Sequence, residues 1–203
     1  MSSQQKHDAD SKPLIVMALP QESGGHLEAR GAQILYTGVG KVNAAATLAR
    51  RLAELRCAGK SPAWVLNLGT AGSRTISAHT LVSCHRFQQR DMDVSGLGFP
   101  VGVTPFDDAP ATIEFPPMFT QLPQMLCSSG DSFATHEHAV EADVVDMEAF
   151  ALARVCLAEG MRFGCAKYIT DGADSDSATH WQAALEAAAK RFAALYNSMD
   201  AFQ

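Results

Sequence analysis

Basic charge is scarce in this chain. Its 203 residues carry 16 Lys and Arg against 22 Asp and Glu, a net charge of −6, with the cations scattered and no dense basic run. A nucleic-acid binder shows a basic face, so that class is set aside. Long apolar runs are missing too. None approaches the ~18 residues that cross a bilayer, and the polar stretch 1–12 lacks the apolar centre of a secretion signal. The expectation is a cytoplasmic protein with no membrane partner and a disordered tail over 1–12. Cysteine pairs are absent as well. Cys57, Cys84, Cys127, Cys156 and Cys165 are odd in number and far apart, with no CxxC, which predicts small core residues rather than a disulfide frame or a metal knuckle.

Several common site motifs fail on inspection. TGVGKVNAA (37–45) is not a P-loop, because Lys41 is followed by Val42 and not by Ser or Thr. It is not a dinucleotide fingerprint either, since the next strand ends in Asn67-Leu68-Gly69 without the expected acid. Gly38 and Gly40 instead predict a tight strand-to-helix turn, whose N–H groups remain suited to an anion. HEH (136–138) with Glu141 lacks a clear third and fourth ligand, and no G-x-S-x-G elbow occurs. No metal and no cofactor are expected.

What is present is a chain 47% hydrophobic and 19% charged, suited to one domain over 13–203. Short apolar runs at 13–20, 34–37, 63–69, 81–87, 125–128 and 163–169 read as strands, with a further short one at 144–145. KVNAAATLARRLAEL (41–55), the stretch after Val145 as far as Gly160, and the segment from Ser177, a plausible N-cap, read as helices. Region 88–121, rich in Gly and Pro, reads as loop. Alternating strands and helices predict an α/β fold on a largely buried sheet, and ligands in such sheets lie beyond strand ends. Polar or glycine clusters sit at Gln21-Glu22, at 69–72, at 129–131 and at Thr170-Asp171.

Asp171 stands out because the apolar run 163–169 drives straight into it. Asp174 and Asp176, close behind, are as well explained by the start of a helix. Breaking an N-glycosidic bond asks for a carboxylate near a cation-like ribose, an acid facing the leaving base, a base for water and an aromatic face for the purine. Glu148, Asp171, Glu22 and Phe133 have the side chains for these places. Glu148 opens a helix, whose N-terminus would steady its negative charge; an ordinary first-turn acid is the plain alternative.

GVGKVNAAATLA, NLGTAGS, SSGDSFA, DVVDMEAFALARVC and KYITDGAD, in that order, resemble the nucleoside phosphorylase and nucleosidase superfamily. Among its members the chain is most similar to the methylthioadenosine/S-adenosylhomocysteine nucleosidases. The resemblance implies a three-layer α/β/α fold with a central mixed sheet, trimmed relative to the family. It implies hydrolysis of an adenine-type purine nucleoside, with Asp171 as general acid and Glu22 as the water-activating base. Glu148 would accept the ribose diol, with Met147 beside the sugar. Phe133 would pack on the purine, the Ala134 backbone would hydrogen-bond it, and Thr70, Ala71 and Gly72 would lie near the ribose and nucleophile.

A phosphate dianion needs cationic clamps, and neither ALPQESGG nor VLNLGTAGS contains arginine, so water is the expected nucleophile. Arg86 and Arg90 remain as possible cations, with ordinary surface or ion-pair roles as the alternative. A phosphate-dependent phosphorylase and a non-catalytic nucleoside binder are the alternatives. The connection between Glu22 and Ile34 is short for the family, which makes the placement of Glu22 the point to watch. Asp146 stands where relatives often have glutamate. Family likeness also implies a homodimer, with Phe99 and Phe106 as candidates for the pocket beyond the ribose.

Overall fold

The computed structural model describes residues 12–132, 141–171 and 177–200. The elements run β1 (Leu14–Met17), α1 (Pro20–Ser23), β2 (Ile34–Tyr36), α2 (Lys41–Cys57), β3 (Trp64–Gly72), β4 (Leu81–Gln89), β5 (Ile113–Glu114), β6 (Gln124–Ser129), β7 (Val144–Asp146), α3 (Ala149–Ala158), β8 (Arg162–Asp171) and α4 (Ser177–Asp200). The expected strands and helices are all there. β3 and β8 run longer than their apolar stretches because GTAG stays paired with β8, and β4 runs on through Gln88 and Gln89, paired with β6. β5 is a short strand inside the region expected as loop. The tail up to residue 11, Phe133, Ala134, the HEH stretch and the acids Asp174 and Asp176 lie outside the described residues, as does the side chain of Ser177.

Strand alternation sets the layers. On β1, Leu14 and Val16 face a core shared with Ala44, Leu48 and Leu52 of α2 and with the buried side of α3. Ile15 and Met17 face the opposite core, shared with Ala184, Ala188 and Phe192 of α4. The sheet has eight strands and is mixed. β1 pairs β2 and β3 in parallel, β3 pairs β8 in parallel, and β8 pairs β4 antiparallel. β4 pairs β6, and β6 pairs β7, both in parallel. β7 then returns to β3 through Gly72 and Val145. The sheet therefore curls into a closed ring of β3, β8, β4, β6 and β7, and the ends of separate segments meet around one mouth.

Two irregularities make this possible. His85 is an extra residue where β4 leaves β8 for β6. Thr170 is an extra residue on β8 just before Asp171 pairs Gly72. A bulge bends the strand and increases its twist, which sheet closure requires.

The ring encloses a charged pair. Lys167 of β8 and Asp146 of β7 are each about 1% exposed at the side chain and meet at 2.8 Å. Asp146 also accepts the Ser129 hydroxyl and, at 2.9 Å, the Ala149 N–H. Ser129 in turn accepts the Phe150 N–H at 2.8 Å. Burial by itself would push the Asp146 carboxyl up, but the Lys167 ammonium and these donors hold it below the usual range. Burial would likewise lower Lys167, and Asp146 outweighs it, so the lysine stays charged. The pair ties β7 to β8 and starts α3, whose first N–H groups need acceptors.

Removing one member of a buried pair strands the other. Lys167→Met is expected to lower the unfolding free energy by about 3–5 kcal/mol in urea titration. The double replacement Lys167→Met with Asp146→Leu should recover most of that loss.

Candidate active site

A cavity of about 220 Å³ opens at the ring mouth, lined among others by Leu19, Glu22, Thr70, Ala71, Gly72, Arg90, Asp146, Met147, Glu148 and Trp181. The size suits a small molecule rather than a polymer. Glu22, Thr70, Ala71, Gly72, Met147 and Glu148, widely separated in sequence, are brought together here. Asp171 closes β8 beside Gly72 by its backbone; its side chain lies outside the described residues.

Glu22 reaches the cavity although its connection to β2 is short. It sits in α1, a single turn that begins at Pro20 and ends at Gly24. Its carboxylate accepts the Leu19 N–H at 3.2 Å through Oε2. Oε1 takes both the backbone N–H and the hydroxyl of Thr70, each at 2.8 Å. The residues that follow are tied down by a small polar knot. The Tyr36 hydroxyl donates to Glu28, and the Ser23 hydroxyl lies 2.6 Å from the Tyr36 oxygen. Burial first, and then the bond to Glu28, push the Tyr36 phenol up to about 12, which keeps it a donor.

Glu148 is the N-cap residue of α3, as its position predicted, but it makes no capping bond to its own helix. Asp146 and Ser129 take the first N–H groups of α3 instead. Glu148 Oε1 accepts the Gly40 N–H at 2.8 Å, and Asp131 Oδ1 accepts the Lys41 N–H at 2.7 Å. The anion expected at the GVGK turn is thus supplied by the protein's own carboxylates at the start of α2. Gly40 holds φ 95°, a region open to glycine, and so presents its N–H to Glu148.

The helix N-terminus that steadies a Glu148 charge is that of α2, through Gly40, and not that of its own helix. Burial, reinforced by the neighbouring Asp146 charge, pushes Glu148 up to about 7, against the opposing pull of Lys167 and the Gly40 N–H. At 8% exposure, desolvation wins over one helix end.

Arg90 has a larger place than an ordinary ion pair. It is buried and lines the cavity. Its guanidinium donates to the Asp146 carbonyl at 3.4 Å and to the Ser132 carbonyl. A Cβ on Gly130 would lie 1.9 Å from Arg90 Nη1, so the glycine of SSGDS is what admits the arginine. Arg86, by contrast, pairs Glu114 at 3.1 Å on the surface. Phe99 and Phe106 pack edge-on at 5.6 Å; Phe106 is 97% exposed, and neither lines the cavity.

Two site residues went unread in the sequence. Lys167 left a faint mark, as a lysine inside the apolar run of β8. Trp181 left none, because its relation to Thr70 is purely tertiary. Among the described residues no group of His, Cys, Asp and Glu is arranged to hold a metal ion. No helix among them is long and apolar enough to cross a membrane.

The Glu148 carboxyl has a testable consequence for stability. Its proton is held more tightly in the folded chain than in the unfolded one. The stability this gives is complete below the ordinary carboxyl value and is lost as pH rises through about 7, a loss of order 3 kcal/mol. Glu148→Gln escapes it. The melting temperature of the variant minus that of the wild type should therefore climb steadily between pH 5 and pH 8.

Residues 24–199 match the family model described as the phosphorylase superfamily. Glu22 lies just ahead of that stretch, so its place rests on the geometry. The chain is 30% identical to the 5'-methylthioadenosine/S-adenosylhomocysteine nucleosidase of Geobacillus kaustophilus, over 91% of this chain and 85% of that protein. It is 28% identical to the nucleosidase of the same name from Marinomonas sp., over 86% and 83%. Among solved structures, a Helicobacter pylori mutant of such a nucleosidase with 5'-methylthioadenosine in its active site superposes with a TM-score of 0.81 at 21% identity, covering 95% of this chain and 99% of that one. A futalosine hydrolase mutant from the same species gives 0.81 at 22% identity, covering 95% and 100%. With a family match running from residue 24, just past α1, into the last helix, this chain belongs to the phosphorylase superfamily.

Proposed function

We propose that the chain hydrolyses the N-glycosidic bond of an adenine-type purine nucleoside. One observation carries this: Glu22, Thr70 and Glu148, from three separate segments, line a single cavity. The names of the curated relatives, 5'-methylthioadenosine/S-adenosylhomocysteine nucleosidases, support the same reaction class. The fold match does not distinguish nucleosidase from futalosine hydrolase, so the substrate is assigned at the level of the purine and the ribose.

The ribose diol donates to Glu148, which must be ionised to accept both hydroxyls. Glu148 is poised to ionise near neutral pH, and a diol that replaces lost solvation favours the charged form. Glu22 takes a proton from water as the water oxygen bonds to the anomeric carbon. The carbon–nitrogen bond breaks, its electron pair stays with the base, and Asp171 protonates the five-membered ring of the purine. Phe133 would stack on the base and the Ala134 backbone would bond its edge. Negative charge around the ribose stabilises its cation-like transition state. The products are a free purine and a ribose derivative.

Phosphorolysis remains the second reading, because Arg90 lines the cavity. Two features favour water. The Arg90 guanidinium already serves two backbone carbonyls, and Glu22 would repel a phosphate dianion beside Thr70. We also propose a homodimer, supported by exposed Val42, Leu97 and Phe106; light scattering at micromolar concentration should give twice the chain mass.

Purine release from methylthioadenosine, adenosylhomocysteine and adenosine, with and without phosphate, tests the proposal. Release without phosphate is expected. Strict phosphate dependence would indicate the phosphorylase, and tight binding without release a nucleoside binder. Glu22→Gln and Asp171→Asn should each lower kcat by about 10²–10⁴. Glu148→Gln should mainly raise KM, by roughly tenfold or more. Full activity in Asp171→Asn would remove that residue from the acid role.

A further inference from the structure

One side chain in the cavity wall has no place in that scheme. Trp181 belongs to α4, which packs on the opposite face of the sheet from α2 and α3, yet its indole lines the cavity. Its Nε1–H donates to Thr70 Oγ1 at 2.9 Å. An indole nitrogen can only donate, whereas a threonine hydroxyl has one proton to give and can accept through its oxygen. With the indole proton lodged on that oxygen, the threonine proton must point elsewhere. Among the described residues, the acceptor in reach is Glu22 Oε1 at 2.8 Å.

The direction of this chain matters for the carboxylate. Oε1 takes two donors, the hydroxyl and the backbone N–H of Thr70. Among the described residues, Oε2 takes only the Leu19 N–H, at the longer distance of 3.2 Å. Glu22 is 4% exposed, so few bulk waters compete to reorient it. Without the indole, the Thr70 hydroxyl could turn its lone pair to another donor and its proton away from Glu22. Successive bonds in one direction also polarise one another in a buried site.

We infer that Trp181 is a positioning residue for hydrolysis: its indole N–H fixes the Thr70 proton on Glu22 Oε1 and leaves Oε2 as the oxygen that receives the proton from water. The inference rests on the role proposed above for Glu22. It also explains why α4 offers Thr70 a donor-bearing aromatic, where a plain apolar ring would fill the wall as well.

The test is a mutant cycle in the methylthioadenosine hydrolysis assay. Trp181→Phe keeps a ring in the wall and removes the donor. It should lower kcat about three- to tenfold, the worth of one net hydrogen bond, with KM changed by less than about twofold. In a Thr70→Val background, where no hydroxyl remains to orient, the same change should cost nothing further in kcat. In a Thr70→Ser background, which keeps the hydroxyl, the cost should return. Unchanged kcat in Trp181→Phe would overturn the inference, as would an equal loss in the Thr70→Val background, which would mark the ring as a shape element only. Both results leave the nucleosidase proposal standing. Failure of the wild type to release purine would instead overturn that proposal, and this inference with it.

Discussion

The buried contact between Lys167 and Asp146 is the interaction on which the site depends. It joins β8 to β7 across the interior of the ring, it lets Asp146 hold the first N–H of α3, and it keeps a full negative charge two residues from Glu148. That charge adds to burial in raising Glu148 to about 7. A buried ion pair of this kind is costly to assemble and weak as a source of net stability. Its value is positional. Two strands that carry site residues are locked in one register, and a neighbouring carboxyl is set near its titration point.

The rest of the site is a consequence of closure. A flat sheet would leave the end of β7 remote from β3, with Glu148 on one side of the molecule and Glu22 on the other. The return of β7 to β3 at Gly72 and Val145, helped by the bulges at His85 and Thr170, places them around one opening. Helix α2 completes the rim by giving its first N–H groups to Glu148 and Asp131. Lys41 meets Asp91 there as well, and Asp91 Oδ2 accepts the Asp131 N–H at 2.8 Å. The mouth is thus a network of acids held by backbone donors, a rigid arrangement that leaves little reorganisation for a bound sugar to induce.

Much of this was legible in the sequence, for identifiable reasons. Short continuous apolar runs mark the strands, which bury both faces, and period-3.6 spacing marks the helices, which bury one. Glu22, Thr70, Ala71, Gly72, Met147 and Glu148, which line one cavity, were readable as candidates because they lie at strand ends within motifs of recognisable order. What stayed hidden depends on contacts distant in sequence. The GTAG stretch reads as a glycine cluster closing a strand but stays paired, since β8 runs beside it as far as Asp171. The ionisation of Glu148 is set by Asp146, Lys167 and Gly40, which no local rule brings together. Arg90 reads as an ordinary surface cation until Gly130 is seen to make room for it. The link from Trp181 to Thr70 joins residues 111 apart in sequence and has no sequence trace.

The central claim is that Glu148 and Glu22 face the same sugar from separate segments. A crystal structure with a non-hydrolysable C-nucleoside of adenine tests it most directly. The account predicts both ribose hydroxyls within hydrogen-bonding distance of the Glu148 carboxylate, the base lying toward the end of β8, and a water molecule between the anomeric carbon and Glu22 Oε2. A ribose bound away from Glu148, or an analogue seated outside this cavity, would contradict it.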